Sequence, residues 1–385
     1  MVQQRVNSPG FAGTLAMLSL TLMGLGSNAI TPALATLADH FEGRDVSFIQ
    51  TIATLSMVAG SLAAGAAAGK RMKIKTLALL GSLLCLVFGI LPVWIDSYGC
   101  ILLVRLVFGF ALGVISPLGN ALIMTHFKGN KQAALIGIGT FSMNIGGIVF
   151  QMLSGVLADI SWQLSFLGHS FFIVAVVMAF FLPKEELIKQ EKSYVQKKAG
   201  EKINLKTVMF IGGLLCIFQI VNLSVMMSAS TIYDIRGAGG AAAAAAALTA
   251  FSVTGMFAGL LFGMVFRRVK RFIFFIAFIF VALGAYIILT GSSGLIMGLG
   301  YALIGIGFNW QFAAFTGWIG ISTPQSTISA GTSIVLAMMN LGGFFSSFWM
   351  MALGGNLTSI LLADVVLCIL LAVLLLVINP FKGKK

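Results

Sequence analysis

The segment FSMNIGG, residues 141–147, returns as AMMNLGG, residues 337–343, 196 positions further along the 385-residue chain. Each copy places an asparagine and two adjacent glycines in strongly apolar surroundings. Further matches occur at offsets of 194 to 196: Gly109 with Gly305, Gly65 and Gly69 with Gly259 and Gly263, and Asn28 with Asn222. Because four corresponding places share nearly one offset, we predict that the chain consists of two related halves.

The composition indicates a protein that is solvated by lipid. Hydrophobic residues make up 59% of the chain, charged residues 9%, and the mean hydropathy is +1.03, whereas soluble domains carry about 25% charged residues. We predict an all-α integral membrane protein, since a spanning helix needs about 20 mostly apolar residues. Twelve such spans lie near residues 11–35, 47–69, 74–95, 99–122, 131–157, 164–182, 207–231, 241–266, 271–290, 293–318, 327–352 and 357–379. The first is expected to be a retained span rather than a cleaved signal peptide.

The net charge of +13 is explained by membrane topology. With both termini in the cytoplasm, 21 of the 24 basic residues lie on the cytoplasmic side, in the chain ends and in every second loop. Only Arg44 and Arg236 lie outside, and Arg105 lies within a span. This positive-inside bias predicts a multi-pass protein of the cytoplasmic membrane. It accounts for the basic balance without a nucleic-acid partner.

One long hydrophilic stretch divides the chain into six spans and six spans. Residues 183–206 are charged and mixed, which predicts a cytoplasmic linker between an N-terminal bundle, residues 1–182, and a C-terminal bundle, residues 207–385. An even number of spans in each half gives both halves the same orientation. They should therefore be related by an axis along the membrane normal.

Signs of catalysis, metal binding or a cofactor are missing from the sequence. The three histidines and four cysteines are scattered, and no nucleophile elbow, HExxH, P-loop or CxxC motif occurs. We predict a protein that is not an enzyme and needs no cofactor. A membrane-embedded enzyme would need a convergent polar cluster in the folded cavity, and a solute receptor would bind solute without moving it.

Polar residues inside several spans are candidate ligands for a small-molecule substrate. The fifth span places Asn144 and Gln151 on one helical face, and the eleventh carries Asn340. Amides in lipid must find partners or water, so a wet interior is one interpretation, and polar contact between helices is the other. The remaining candidates lie in the first, seventh and tenth spans: Asn28, Thr31, Gln219, Asn222, Asn309, Trp310 and Gln311.

Four charged residues are candidates for ion coupling. Arg105 and Asp364 lie within the outer third of their spans, where long side chains reach the membrane surface at reduced cost. For Asp364 the alternative is a structural hydrogen bond or an exposed helix end. Asp39 and Asp234 form a repeat pair at offset 195 near the outer ends of the first and seventh spans. They are expected either to act as an outer gate or to lie in water. Acidic residues are missing from the middle of the first, fourth, seventh and tenth spans.

These residues together resemble the major facilitator superfamily over the whole chain. GAAAGKRMKIK, residues 65–75, is similar to its signature after the second span, but Gly69 and Met72 replace the usual Asp and Gly. RLVFGFALG, residues 105–113, resembles the fourth-span motif. The fifth span is similar to the antiporter motif at Gly137, Gly146 and Gly155, although Phe150 and Gln151 replace its Gly-Pro.

The resemblance implies alternating access around a central cavity lined by spans 1, 4, 7 and 10. It further implies a cytoplasmic gate and close helix contacts at Gly65, Lys70, Arg71, Lys73, Gly109, Gly113, Gly146, Gly147, Arg267 and Arg268. The implied function is secondary transport of a small organic solute, as proton-coupled efflux, with an uptake symporter or facilitator of a neutral or anionic metabolite as the alternative. The glycines of the repeated segment are expected to lie where the bundles meet. A monomer is expected.

Overall fold

Every predicted span corresponds to a helix in the structure, a computed structural model that describes residues 9–68, 72–127, 129–183, 204–323 and 328–378. The helices are α1 (Phe11–His40), α2 (Ser47–Ala67), α3 (Ile74–Trp94), α4 (Tyr98–His126), α5 (Gly129–Ala158), α6 (Leu164–Ala179), α7 (Leu205–Ile235), α8 (Ala241–Val269), α9 (Ile273–Thr290), α10 (Gly294–Ser322), α11 (Ile328–Ala352) and α12 (Leu357–Ile378). Among the described residues there is no strand. The predicted all-α membrane fold is confirmed.

Length and hydropathy identify most of these helices as membrane spans. Ten segments of the described chain are long and apolar enough to cross a membrane. One of them, Ala241–Thr290, has 50 residues and contains both α8 and α9, which are separated by the short turn Lys270–Phe272. The shorter apolar helix α6 adds the twelfth. Helices dominate because lipid offers no partner for an unpaired peptide group.

The chain forms two compact units. One comprises residues 1–30 and 52–193, and the other comprises residues 31–51 and 194–385. The C-terminal end of α1 and the N-terminal end of α2, which belong to Thr31–Thr51, therefore group with the second unit. The division at the linker into six and six spans stays a prediction, and residues 184–203 of that linker lie outside the described residues.

Glycines at sharp turns join successive helices. Between α7 and α8, Gly237 has a φ of 60° and Gly239 a φ of 122°. These angles lie in the region that favours glycine, because a Cβ atom would be strained there. The glycines that open the segment GAGGAAAAAAALTA thus form the turn, and its alanines form the first turns of α8.

Candidate functional site

In the first unit, α1 loses its regular α-helical geometry in the middle. Residues Met23–Ala33 form a 3₁₀ stretch that contains Pro32, and Leu25 has a φ of −100° and a ψ of 15°. A 3₁₀ stretch pairs each carbonyl with the N–H group three residues further on, with poorer hydrogen-bond geometry than an α-helix. The carbonyl of Ser27 accepts a hydrogen bond from Nη2 of Arg105 at 3.3 Å.

Arg105 is completely buried beside a histidine that the sequence analysis did not connect with it. Its Nη1 lies 3.2 Å from Nε2 of His169, and its guanidinium lies 4.4 Å from the ring centre of Phe108. Nδ1 of His169 lies 3.0 Å from the carbonyl oxygen of Phe166, so it must donate there. Nε2 is then the acceptor for Arg105, which makes His169 a neutral ring. The expectation that Arg105 reaches toward the membrane surface is wrong, because its partners lie inside the unit.

The predicted gate glycines of α4, Gly109 and Gly113, lie at the contact between α4 and α2. A Cβ atom on Gly109 would meet the carbonyl oxygen of Ala53, and one on Gly113 would meet that of Met57. The same arrangement occurs in the second unit, where Gly305 of α10 faces the carbonyl oxygen of Phe251 in α8. Small residues allow two helix backbones to approach closely in lipid. The repeat therefore has a matching structural contact in each unit.

The glycines of the repeated segment make a second matching pair of contacts. Gly146 of α5 lies against the carbonyl oxygen of Leu22 in α1, and Gly342 of α11 lies against that of Cys216 in α7. Gly147 lies against the side chain of Leu25. Each of these contacts joins two helices of the same unit. The expectation that these glycines lie where the two bundles meet is therefore wrong for Gly146, Gly147 and Gly342.

The asparagines of the repeated segment differ in their surroundings. Asn144 is buried and donates from Nδ2 to the carbonyl of Thr140 at 3.0 Å within its own helix. Asn340 is half-buried in α11. Gln151, two turns after Asn144, is buried, and its Oε1 has no hydrogen-bond partner in the described chain. Gln151 is thus the better candidate ligand of this face.

In the second unit, buried amides of α7 and α10 also lack partners within the described chain. Gln311 of α10 is fully buried, and neither its Oε1 nor its Nε2 has a hydrogen-bond partner. In α7, Oε1 of Gln219 and Oδ1 of Asn222 are buried and unpaired as well. Gln219 and Asn222 are three residues apart and share a helical face. Buried polar atoms without partners are rare in proteins, and each calls for a bound molecule or water.

Two of the predicted ligands in α10 instead join helices. Nδ2 of Asn309 donates to the carbonyl of Gly305 in its own helix at 3.2 Å, and its side chain packs against Gly255 of α8. Nε1 of Trp310 donates to the carbonyl of Ala258, also in α8, at 2.9 Å. The structure thus uses both side chains for packing between α8 and α10.

The other predicted residues lie at several different places. Asn28 is half-buried and lies 3.4 Å from the hydroxyl of Ser27, whereas Thr31 is fully buried and its hydroxyl is unpaired in the described chain. Asp39 and Asp234 are both exposed. Exposed positions are also found for Gly65, Lys73, Arg267 and Arg268. Lys70 and Arg71 lie outside the described residues.

Asp364 of α12 is fully buried. Its Oδ2 lies 2.6 Å from the hydroxyl of Ser224 in α7, and its Oδ1 accepts a hydrogen bond from Nε1 of Trp349 in α11 at 2.8 Å. These three helices therefore meet at one carboxyl group. Sequence reasoning missed Ser224 and Trp349, because they lie 140 and 15 positions from Asp364 and no motif connects them.

Basic side chains near helix ends are a further feature that the sequence did not reveal. Arg236 donates to the carbonyls of Ile288, Leu289 and Gly291 at the end of α9. Lys75 donates to the carbonyls of Phe180 and Leu182 after α6, at 2.6 and 3.1 Å. A positive charge is favourable at the C-terminal end of a helix. These residues stabilise helix ends inside each unit.

Among the described residues, no group of His, Cys, Asp and Glu could hold a metal ion.

The fold and the apolar helices define a multi-pass membrane protein, and comparisons with known proteins identify its family. The model of the Major Facilitator Superfamily matches residues 16–347, so the chain belongs to this superfamily. It is a secondary transporter and not an enzyme. No curated protein matches the chain.

Solved structures share this fold at low sequence identity. A D-xylose-proton symporter has a TM-score of 0.78 at 16% identity, with 97% of this chain and 99% of that chain covered. The nucleoside transporter NupG has a TM-score of 0.72 at 14% identity, with 96% and 99% covered. A POT family transporter in complex with 5-aminolevulinic acid has a TM-score of 0.75 at 12% identity, with 98% and 99% covered.

Proposed function

We propose that the chain transports a neutral or anionic organic solute that it recognises through hydrogen bonds. The observation that carries this proposal is Gln311, a fully buried amide with two unpaired polar atoms. Gln219 and Asn222 in α7 supply further buried oxygens of the same unit. A solute with hydroxyl, amide or carbonyl groups satisfies such atoms.

The distribution of charge argues against a cationic solute. In α1, α4, α7 and α10 the acidic residues are Asp39 and Asp234, and both are exposed near helix ends. A cation in a low-dielectric interior needs a nearby opposite charge. The amide ligands proposed above offer dipoles and no charge, so neutral solutes fit them best.

The fourth- and fifth-span motifs favour export by exchange for protons. The second candidate is uptake by proton symport, because the chain has the same fold as a D-xylose-proton symporter and a nucleoside transporter. We further propose that the protein acts as a monomer in the cell membrane, with both termini in the cytoplasm. The positive-inside bias of the loops supports this orientation.

A solute screen followed by a flux assay tests the function. Purified protein is screened by thermal shift against sugars, nucleosides and amino acid derivatives, and each stabilising solute is then tested for flux in proteoliposomes. A pH gradient of either sign distinguishes export from uptake. Flux of at least one stabilising solute is expected, whereas solutes that bind and never cross would indicate a receptor.

The role of Gln311 is tested in the same assay. Gln311→Leu should weaken binding of the transported solute about fivefold, since one lost hydrogen bond corresponds to about 1 kcal/mol. Thermal stability of the solute-free protein should not fall, because the amide has no partner to leave unpaired. Trp310→Phe is the matched control: it should lower stability and leave solute affinity unchanged. Unchanged affinity in Gln311→Leu would contradict the proposed ligand.

A further inference from the structure

Asp364 is a carboxyl group at the contact of three helices and plays no part in the solute site proposed above. It is fully buried in α12, and its two oxygens contact Ser224 of α7 and Trp349 of α11. Both neighbours are neutral hydrogen-bonding groups. A buried carboxylate is costly in lipid unless its charge is compensated.

The helices around Asp364 offer no such compensation. Helices α9, α11 and α12 contain no Lys, Arg or His, and α7 contains only Lys206. Lys206 lies 18 residues before Ser224, a distance of about 27 Å along the helix. The other titratable groups of these helices are Cys216, Tyr233, Asp234, Tyr286 and Cys368. Only Cys368, one turn after Asp364 and also buried, lies on the same helical face.

The contacts of the Ser224 hydroxyl indicate which protonation state of Asp364 fits the geometry. Its Oγ lies 2.6 Å from Oδ2 of Asp364 and 2.8 Å from the carbonyl oxygen of Val221. A hydroxyl carries one hydrogen and can donate only once. Next to a carboxylate, one of the two contacts would therefore be a pair of acceptors without a hydrogen between them.

A protonated Asp364 satisfies every contact at once. Its Oδ2–H donates to Oγ of Ser224, which donates its own hydrogen to the carbonyl of Val221. Its Oδ1 remains the acceptor for Nε1–H of Trp349. We propose that Asp364 carries a proton in this conformation and is the site at which the transporter binds and releases its coupling proton.

Proton binding at Asp364 links to the proposed solute ligands through α7. A proton adds to Oδ2 of the carboxylate and gives the neutral acid; its release restores the carboxylate and leaves Ser224 with one hydrogen for two acceptors. The contact between α7 and α12 then changes. Asn222 and Gln219 lie two and five residues before Ser224 on the same helix, so this change acts directly on the solute ligands. This coupling role rests on the proposed function, whereas the bound proton does not.

Infrared difference spectroscopy tests the bound proton without any solute. Asp364→Asn is the matched variant, since its amide oxygen accepts from Trp349 and its NH₂ donates to Ser224. The spectrum of the wild type minus that of Asp364→Asn at neutral pH should contain the C=O stretch of a protonated carboxyl group. Ser224→Ala should shift this band, because the acid loses its acceptor. A difference spectrum with only carboxylate bands would overturn the proposal.

A flux experiment tests the coupling role. For a solute that passes the flux assay above, Asp364→Asn should abolish accumulation driven by a pH gradient while exchange at equal pH continues. Gradient-driven accumulation at the wild-type level would overturn the role in coupling. If no solute crosses with the wild-type protein, the proposed function fails, and the infrared band still decides whether Asp364 holds a proton.

Discussion

At the scale of single residues, polar side chains that are far apart in the sequence form hydrogen-bonded pairs in the structure. Arg105 and His169 are 64 positions apart in sequence, and their contact depends on the Nδ1–H of His169 donating to the carbonyl of Phe166. Removing one partner of a buried hydrogen bond leaves the other unsatisfied, which costs about 1–3 kcal/mol. The neutral histidine thus has a structural role as an acceptor for a buried guanidinium.

We predict that His169→Phe lowers the free energy of unfolding by about 1–3 kcal/mol, since the guanidinium of Arg105 and the carbonyl of Phe166 each lose one hydrogen-bond partner. His169→Gln should lower it less, because an amide oxygen can accept from Arg105. Thermal unfolding in detergent ranks the stability of the wild type and the two variants. Equal stability of both variants would show that the ring acts only by filling space.

The sequence predicts that a charged residue within a span needs a hydrogen-bond partner, but it does not predict which residue is that partner. An Arg or Asp within a span indicates that a polar partner lies nearby, because an uncompensated charge in lipid is costly. The partner itself, His169 or Ser224, comes from a helix that is distant in sequence. Local periodicity encodes the face of one helix and carries no information about which face of another helix it meets.

At the scale of helices, the repeated segment explains how each unit holds two helices together. Gly146 and Gly342 occupy equivalent positions, and their neighbours Leu22 and Cys216 are themselves 194 residues apart. Close approach at these points follows from the lack of a side chain. The sequence alone predicted the helices and the repeat, because lipid forces every span to be helical. It did not predict the 3₁₀ stretch of α1, although Pro32 within that stretch disfavours regular α-helical hydrogen bonding.

We predict that Gly146→Ala and Gly342→Ala each destabilise the protein by about 1–3 kcal/mol, the usual range for an overpacked contact. Their Cβ atoms would meet backbone carbonyls, which cannot move without shifting a helix. Gly137→Ala in α5 and Gly213→Ala in α7 are matched controls, since nothing lies within 4 Å of the added carbon. Thermal unfolding should separate the two pairs, and equal midpoints would refute the contact.

At the scale of the whole molecule, α1 and α2 each belong partly to both units. Their segment Thr31–Thr51 is bonded within the second unit: the N–H of Ala35 donates to Oγ of Ser230 at 2.8 Å, and the hydroxyls of Thr51 and Ser347 lie 2.6 Å apart. Phe48 and Phe348 add an edge-to-face ring contact at 5.1 Å. Thr51 is the last residue before α2 returns to the first unit. Alternating access, as expected for a member of this superfamily, requires the chain to move where it passes from one unit to the other, and a fixed contact at Thr51 opposes that movement.

We predict that a disulfide between residues 51 and 347 stops transport. Hydroxyls 2.6 Å apart place the Cβ atoms near the range of about 3.5–4.5 Å that a disulfide needs. Thr51→Cys with Ser347→Cys, in a variant without the four native cysteines, should lose solute flux on oxidation and regain it with a reductant. Each single-cysteine variant should keep its solute flux when the oxidant is added. Full flux in a demonstrably cross-linked protein would mean that this contact persists throughout the transport cycle.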